Sequence, residues 1–436
     1  VSGRFQKYHC ALGIFQLLVF FGLPWIIIGE HPAFPIDLAN RRVHLLGTLF
    51  TATDTVLMVL VLLFLAFSLF FFTTLFGRLW CGYACPQTVW TEVFLWIERW
   101  VEGDRNKRIK LQKSRWTADK TAKKVLKQAI WLTFSFWTGV SFVGFFVPVT
   151  TLVQELLTIH INGWPLFWTL FYAGATYANA GYMREQVCKY MCPYARFQSA
   201  MFDRDTLIIT YDQKRGEPRG ARARTTDRST DGLGDCVDCT VCVQVCPTGI
   251  DIRKGLQYEC IACAACIDAC DSVMDKVGYP RGLIRYTTQH ALDGKPTKVL
   301  RGRTYVYATL LSLIFVVGVV ALLNRKTADL DVIRDRNALY RETSHGEIEN
   351  VYLLRVLNKE TRPRAFTLSI DGIQEASIDG GTPRWQVAGG EVYTTAIRVE
   401  APAGAMHGGH TLRFVLKDAV TGKALLSEKA RFIAPP

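Results

Sequence analysis

Eight of the chain's 13 cysteines crowd between Asp235 and Asp271 in two matching runs. The first reads Cys236-x-x-Cys239-x-x-Cys242-x-x-x-Cys246-Pro247, and the second Cys260-x-x-Cys263-x-x-Cys266-x-x-x-Cys270. Three thiolates spaced in this way wrap a peptide around one face of an iron–sulfur cubane, while the trailing fourth serves the neighbouring cluster. Cys236, Cys239, Cys242 and Cys270 are therefore expected to hold one 4Fe-4S cluster, and Cys260, Cys263, Cys266 and Cys246 a second. Structural zinc needs only four ligands, usually as paired Cys-x-x-Cys units, and a cytosolic setting disfavours disulfides. Asp271 stands where the other run has proline after its fourth cysteine, which is expected to alter the local turn without removing a ligand. Two adjacent clusters serve electron transfer but name no substrate.

Four further cysteines form a second repeat. Cys81-Gly82-Tyr83-Ala84-Cys85-Pro86 and Cys188-Lys189-Tyr190-Met191-Cys192-Pro193 share the pattern Cys-x-Tyr-x-Cys-Pro. On a continuous helix the i, i+4 spacing puts both sulfurs of a pair on one face. If each proline instead opens a new helix, Cys85 and Cys192 become N-caps, where the positive helix end favours a thiolate. Such thiols could bind a soft metal such as Cu(I), cycle between dithiol and disulfide, or hold another iron centre. The plainer reading is small buried residues packing helix ends. Recurrence of the same Tyr and Pro favours a redox or metal role, so Cys81, Cys85, Cys188 and Cys192 are candidate catalytic and copper-binding residues. Cys10, beside His9, is expected to be a buried hydrophobe.

These residues need a scaffold, and the composition points to a membrane. Of 436 residues, 50% are hydrophobic and 12% aromatic, with a mean hydropathy of +0.14, too oily for one compact soluble domain. Five stretches lack charge over about the length that crosses a ~30 Å hydrocarbon core: Ala11 to Gly29, Thr55 to Phe76, Ala129 to Thr151, Trp164 to Met183, and Thr304 to Leu323. Basic residues number 12 between Gly77 and Gln128 and 19 between Arg184 and Arg303, against 2 in the first loop and none near Gln154. The positive-inside rule then puts the N-terminus and both basic loops in the cytoplasm and the C-terminal segment in the periplasm. The net charge of +13 is thus largely a topology signal, and no nucleic-acid partner is expected. After Pro86, the run VWTEVFLWIERW spaces Val89, Val93, Trp96 and Trp100 for one apolar face of an interfacial helix. The sequence opens on Val1 rather than Met, so residues upstream are expected, and no cleavable signal is evident.

The expected fold is therefore a multi-domain membrane protein. Residues 1–200 form an α-helical two-hairpin bundle carrying the Cys-x-Tyr-x-Cys-Pro repeats, and 201–235 a mobile linker rich in Gly, Arg, Ser and Asp. Residues 236–303 form a cytoplasmic α+β ferredoxin-like domain, and 304–323 a fifth transmembrane helix. Residues 324–436 form an all-β immunoglobulin-like sandwich, with strands from about Asn337 separated by turns such as Asp371-Gly372 and Thr421-Gly422. The sandwich has no cysteine and no evident cluster of catalytic polar residues, so it is expected to be an interaction module.

With these parts in place the chain resembles the CcoG family, also called FixG or RdxA, the accessory proteins of cbb3-type cytochrome c oxidase assembly. The likeness rests on Trp80-Cys81-Gly82-Tyr83, the two Cys-x-Tyr-x-Cys-Pro elements, the stretch CPTGIDIRKGLQYECIACAACIDACD, the fifth span and the outer tail. It implies reduction of Cu(II) to Cu(I) to supply the oxidase's copper centre, with copper as substrate. It also implies a cytoplasmic electron donor, and oxidase assembly factors or a copper chaperone or transporter as partners. Two other readings use the same parts: a quinol-linked electron-transfer subunit, and a non-catalytic assembly scaffold. No haem-ligating histidine pair inside the spans supports the first.

Overall fold

The computed structural model describes residues 2–28, 31–32, 36–37, 42–45, 48–51, 54–158, 163–221, 232–336, 338–360, 362–402 and 407–435. By internal contacts the chain divides into two units, one of residues 1–26 and 59–317, the other of 27–58 and 318–436.

Among the described residues, three helices are long and apolar enough to cross a membrane: Arg4–Trp25, Thr55–Phe76 and Gly302–Leu323. Their side chains, such as Leu62, Leu65, Phe72, Phe315 and Val316, stay largely exposed, which lipid would tolerate and water would not. The first begins and ends earlier than the hydropathy implied, because Pro24 closes it in a single 3-10 turn and Ile26 is already extended.

The third and fourth expected spans take other forms. The helix Ala118–Val143 starts in a basic segment and stops at Gly144, and a separate helix, Val149–Thr158, follows Pro148. Proline supplies no N–H to continue the first helix and suits the start of the second. The helix Gly163–Thr176 widens into π-turns over Tyr177–Met183. It packs on Ala118–Val143 so closely that a Cβ on Gly139 would lie 2.4 Å from the Thr169 carbonyl oxygen, the small-residue contact expected between membrane helices. Asn179 contributes its backbone carbonyl, which accepts from Gln87 Nε2 at 3.0 Å.

The helix Pro86–Glu102 has two apolar faces rather than one. Phe94 and Ile97 are buried against Trp131 and Ala180, while Trp96 and Trp100 face outward, stacked 6.4 Å apart. The helix is thus both a bundle member and a carrier of an outward aromatic strip.

The ferredoxin-like region draws on residues before the cysteines. The strand Ile208–Tyr211 pairs antiparallel with Ile284–Thr287, so the segment expected to be linker supplies one of its strands. Further along that segment, Arg215 pairs with the buried Asp235 and also donates to the Arg281 carbonyl at 3.0 Å. Residues 222–231 of the expected linker lie outside the described residues.

In the second unit two antiparallel sheets form a sandwich. One has the strand order Ser377–Ile378, Val392–Pro402, Glu347–Asn358, Ala328–Arg334; the other Arg384–Val387, Arg364–Asp371, Gly409–Asp418, Ala424–Ile433. The first strand starts at Ala328, earlier than the expected Asn337. Tyr352, Phe366, Phe414 and Phe432 are fully buried in the core. Asn350 links the sheets by exchanging bonds with the Ile433 backbone at 2.9 and 3.1 Å. Asp54 belongs to the same unit, pairing with Arg325 at 3.0 Å and Lys359 at 3.4 Å.

Phe414 packs edge-on against Tyr352 at 5.0 Å between ring centres. Phe414→Ala should destabilise the sandwich by about 3–5 kcal/mol. In denaturant titrations of the full chain this should appear as an earlier loss of β-structure with iron content unchanged.

Candidate functional site

The two cysteine runs adopt one backbone twice. In the first, Asp238 and Thr240 flank Cys239 with φ of 52° and 56°; in the second, Ala262 and Ala264 flank Cys263 with 56° and 61°. Non-glycine residues visit this left-handed region as isolated exceptions, and here they recur in register, curling each loop around a cavity. Cys236, Cys239, Cys242 and Cys270 line one cavity, with Val241, Val273 and Met274 among its apolar walls. Cys246, Cys260, Cys263 and Cys266 line the other, walled by Ile209, Ile250 and Ile252, and Cys242 borders it too. Cys266 and Cys270 share the helix Ala265–Val277, which runs on through Asp271 because no proline interrupts it. Asp271 instead accepts the Gly282 N–H at 2.9 Å.

This donor set fits two 4Fe-4S clusters. Each cavity offers four thiols against hydrocarbon, and the backbone N–H groups of Ala262 and Ala265 are directed at the Cys260 and Cys263 sulfurs. Burial pushes Cys263 and Cys270 up to about 12 and Cys242 to about 11, so a thiolate there needs a metal to replace the proton. Among the described residues no three His, Cys, Asp or Glu side chains converge on the position of a single metal ion. A cubane spreads its four ligands over four irons.

Side chains hold each loop in its twist. Arg253 grips Asp251 with two bonds of 2.8 Å and pairs with Asp238, the left-handed residue of the first loop. At the matching place in the second loop, the Ala262 carbonyl accepts from the Tyr286 hydroxyl at 2.6 Å.

The membrane-edge repeat is also a structural repeat. The Cys85 N–H bonds to the Trp80 carbonyl at 2.9 Å and the Cys192 N–H to the Val187 carbonyl at 2.8 Å, each five residues back. Pro86 and Pro193 then open new helices, with Cys85 and Cys192 as extended N-caps. Of the two geometries open from sequence, the structure adopts the N-cap. All four cysteines are half-buried free thiols. Burial, reinforced by the neighbouring cysteines, pushes Cys81 up to about 12 and Cys188 to about 11. Cys81 Sγ donates to the fully buried Gln198 at 3.1 Å. Cys10 is exposed, and its neighbour His9 is the buried residue, pairing with Glu92.

Both halves of this repeat touch segments that carry candidate ligands of the second cluster. A Cβ on Gly82 would sit 2.8 Å from the carbonyl oxygens of both Ile261 and Ala262, so backbone lies on backbone there. Arg78, 4% exposed, donates to the carbonyls of Tyr258, Cys260 and Ala195. From the other half, Lys189 Nζ donates to the Thr248 carbonyl at 2.7 Å, and Thr248 Oγ1 lies 3.3 Å from Cys246 Sγ. Asp268, on the cysteine-bearing helix, accepts the N–H groups of Phe5 and Gln6 at 3.3 and 2.8 Å, capping the first membrane helix. Cys188, Cys246 and Cys263 line one open cavity of about 600 Å3 with His9, Glu92 and Arg184. Sequence reasoning missed Arg78, Lys189, Asp268 and Tyr286 because each acts on residues distant in the chain. Gly82 alone carried a signal, as the small residue inside a repeated motif.

Gly82→Val should drive a side chain into two carbonyl oxygens, so the electron paramagnetic resonance signal of the Cys260–Cys266 cluster should be lost or shifted while the other persists. Arg253→Ala should do the reverse, releasing Asp238 and lowering retention of the Cys236–Cys242 cluster, read as iron per chain after gel filtration.

Family models match three regions. A 4Fe-4S binding domain covers residues 57–108, a 4Fe-4S dicluster domain covers 183–289, and the IG-like fold at the C-terminal of FixG covers 318–435. Protein RdxA of Cereibacter sphaeroides is 42% identical over 388 residues, spanning 85% of this chain and 81% of that one. Nitrogen fixation protein FixG of Rhizobium meliloti is 37% identical over 416 residues, spanning 86% and 79%. A solved FixG-related protein from Vibrio parahaemolyticus is 32% identical over 25% of this chain and 98% of its own, with a TM-score of 0.23. Apolar helices of membrane-spanning length, paired cysteine loops and similarity over about 85% of the chain agree: the chain belongs to the FixG/RdxA family of membrane 4Fe-4S ferredoxin proteins.

Proposed function

We propose that this iron–sulfur oxidoreductase reduces Cu(II) to Cu(I) at the membrane edge, supplying the copper centre of a cbb3-type cytochrome c oxidase. The carrying observation is the cavity shared by Cys246 and Cys263, ligand candidates of the second cluster, with Cys188, His9 and Glu92. Imidazole and carboxylate suit cupric ion, and thiol sulfur suits the cuprous product, so one cavity offers donors for both ends of the reaction. Bound 4Fe-4S clusters supply one-electron chemistry, which matches the single electron that cupric ion takes up. Gly82, Arg78 and Lys189 keep Cys81, Cys85, Cys188 and Cys192 against the loops that would carry those electrons.

The topology that goes with this reading has five crossings, with the N-terminus and ferredoxin-like region in the cytoplasm and the sandwich in the periplasm. The excess of Lys and Arg in the two long loops supports it. A cytoplasmic donor then delivers electrons to the cysteine loops, and the sandwich meets oxidase assembly factors or a copper chaperone or transporter.

The test uses full-length protein, purified and reconstituted anaerobically, reduced chemically and mixed with Cu(II) and a Cu(I)-specific chelator. The wild type should yield chelated Cu(I), and the combined Cys-to-Ser variant at positions 81, 85, 188 and 192 should lose at least about tenfold in rate. An unchanged rate removes these thiols from the reaction.

A further inference from the structure

We propose that Cys81, Cys85, Cys188 and Cys192 together ligate a third 4Fe-4S cluster, built across the two halves of the membrane repeat. The inference rests on the proposed redox role of these four thiols but makes them cluster ligands in place of copper ligands, and it does not require copper as the acceptor.

The ligand inventory leads there first. The region matched as a 4Fe-4S binding domain, 57–108, contains only Cys81 and Cys85, two thiols where a cubane takes four. The dicluster match, 183–289, contains ten cysteines, two more than two clusters use, and the surplus pair is Cys188 and Cys192. Each incomplete set completes the other.

The geometry agrees with the count. Both halves present their sulfurs from the same five-residue turn followed by a proline-initiated helix, so the four arrive as two equivalent pairs. Cys81 lies within electrostatic reach of Cys85, Cys188 and Cys192, and Cys188 within reach of Cys85 and Cys192. Neither N-cap thiol makes a capping bond, and none of the four is in a disulfide.

A separate observation points to an anionic occupant. Arg78 is 4% exposed and lies within electrostatic reach of Cys81 and Cys188, yet its Nε has no hydrogen-bond partner. A buried guanidinium donor left unmatched is rare and costly. A cubane with four thiolates is net negative and offers sulfur acceptors, which would satisfy both charge and donor. The same Arg78 donates to the Cys260 carbonyl, so it would stand between the third centre and the second.

The experiment measures iron and acid-labile sulfide per chain in anaerobically reconstituted full-length protein. About twelve of each are expected, against about eight for two clusters. The variant Cys81→Ser/Cys85→Ser and, separately, Cys188→Ser/Cys192→Ser should each lose about four irons while the two ferredoxin-type signals persist. Because a variant can also misfold, native alkylation of the wild type provides an independent readout: Cys10 should label and these four should be protected. A wild type with about eight irons, free labelling of the four thiols, or one copper or zinc bound by them would each overturn the proposal. Twelve irons without copper reduction would keep the cluster and remove the copper reading; eight irons with copper reduction would do the opposite.

Discussion

The contact on which the rest depends is backbone against backbone at Gly82. The Ile261 and Ala262 carbonyls occupy the space of a side chain at that position, and Arg78 seals the contact through carbonyls on both sides. Electron transfer needs centres held close and still, and a glycine against a cysteine loop achieves this without a mobile side chain between them. Lys189 reaches Thr248, beside Cys246, from the second half of the repeat, so candidate ligands of the second cluster from both cysteine runs are braced by the repeat. Asp268 adds a third tie by capping the first membrane helix from the cysteine-bearing helix.

The environment of the thiols explains why metal and fold are inseparable here. Apolar walls surround both ferredoxin-type cavities, and burial raises the thiols well above their ordinary range. Sulfurs in such a place do not ionise alone, so the left-handed twists at Asp238, Thr240, Ala262 and Ala264 are worth holding only when iron accepts the sulfurs. Arg253 and Tyr286 do that holding at equivalent positions with unlike chemistry, an ion pair in one loop and a hydroxyl in the other.

The sandwich follows a different logic. Its core packs four aromatic rings, Tyr352, Phe366, Phe414 and Phe432, among aliphatic side chains, its sheets are stitched by Asn350, and Asn358 is fully buried with its amide bonded to the Val387 carbonyl at 3.1 Å. It carries its own stability, and Asp54, Arg325 and Lys359 form a buried charge cluster within the same unit. Removing one partner of such a cluster would leave a buried charge uncompensated, which is strongly destabilising.

Much of this was legible in the residues themselves. Cysteine spacing reports a cluster because a short loop can wrap a cubane only in a few ways, and long uncharged runs report helices in lipid because backbone polar groups must bond within the segment. Local breaks were harder: Pro148 and the π-turns at Tyr177–Met183 divided or widened stretches that hydropathy read as uniform. The early strands at Ile208 and Ala328 were missed because a strand of four to seven residues gains its identity from its partner.

What the sequence determined by itself was the donor chemistry: which sulfurs exist, how they are spaced, and which segments prefer lipid, all set by near neighbours in the chain. Only the tertiary structure decided that two cysteine pairs more than a hundred residues apart lie within electrostatic reach of each other, that Gly82 lies on the Ala262 carbonyl, and that Arg78 reaches the Cys260 carbonyl. Those contacts arise from packing between distant segments, and no local periodicity records which distant carbonyl a buried guanidinium will find.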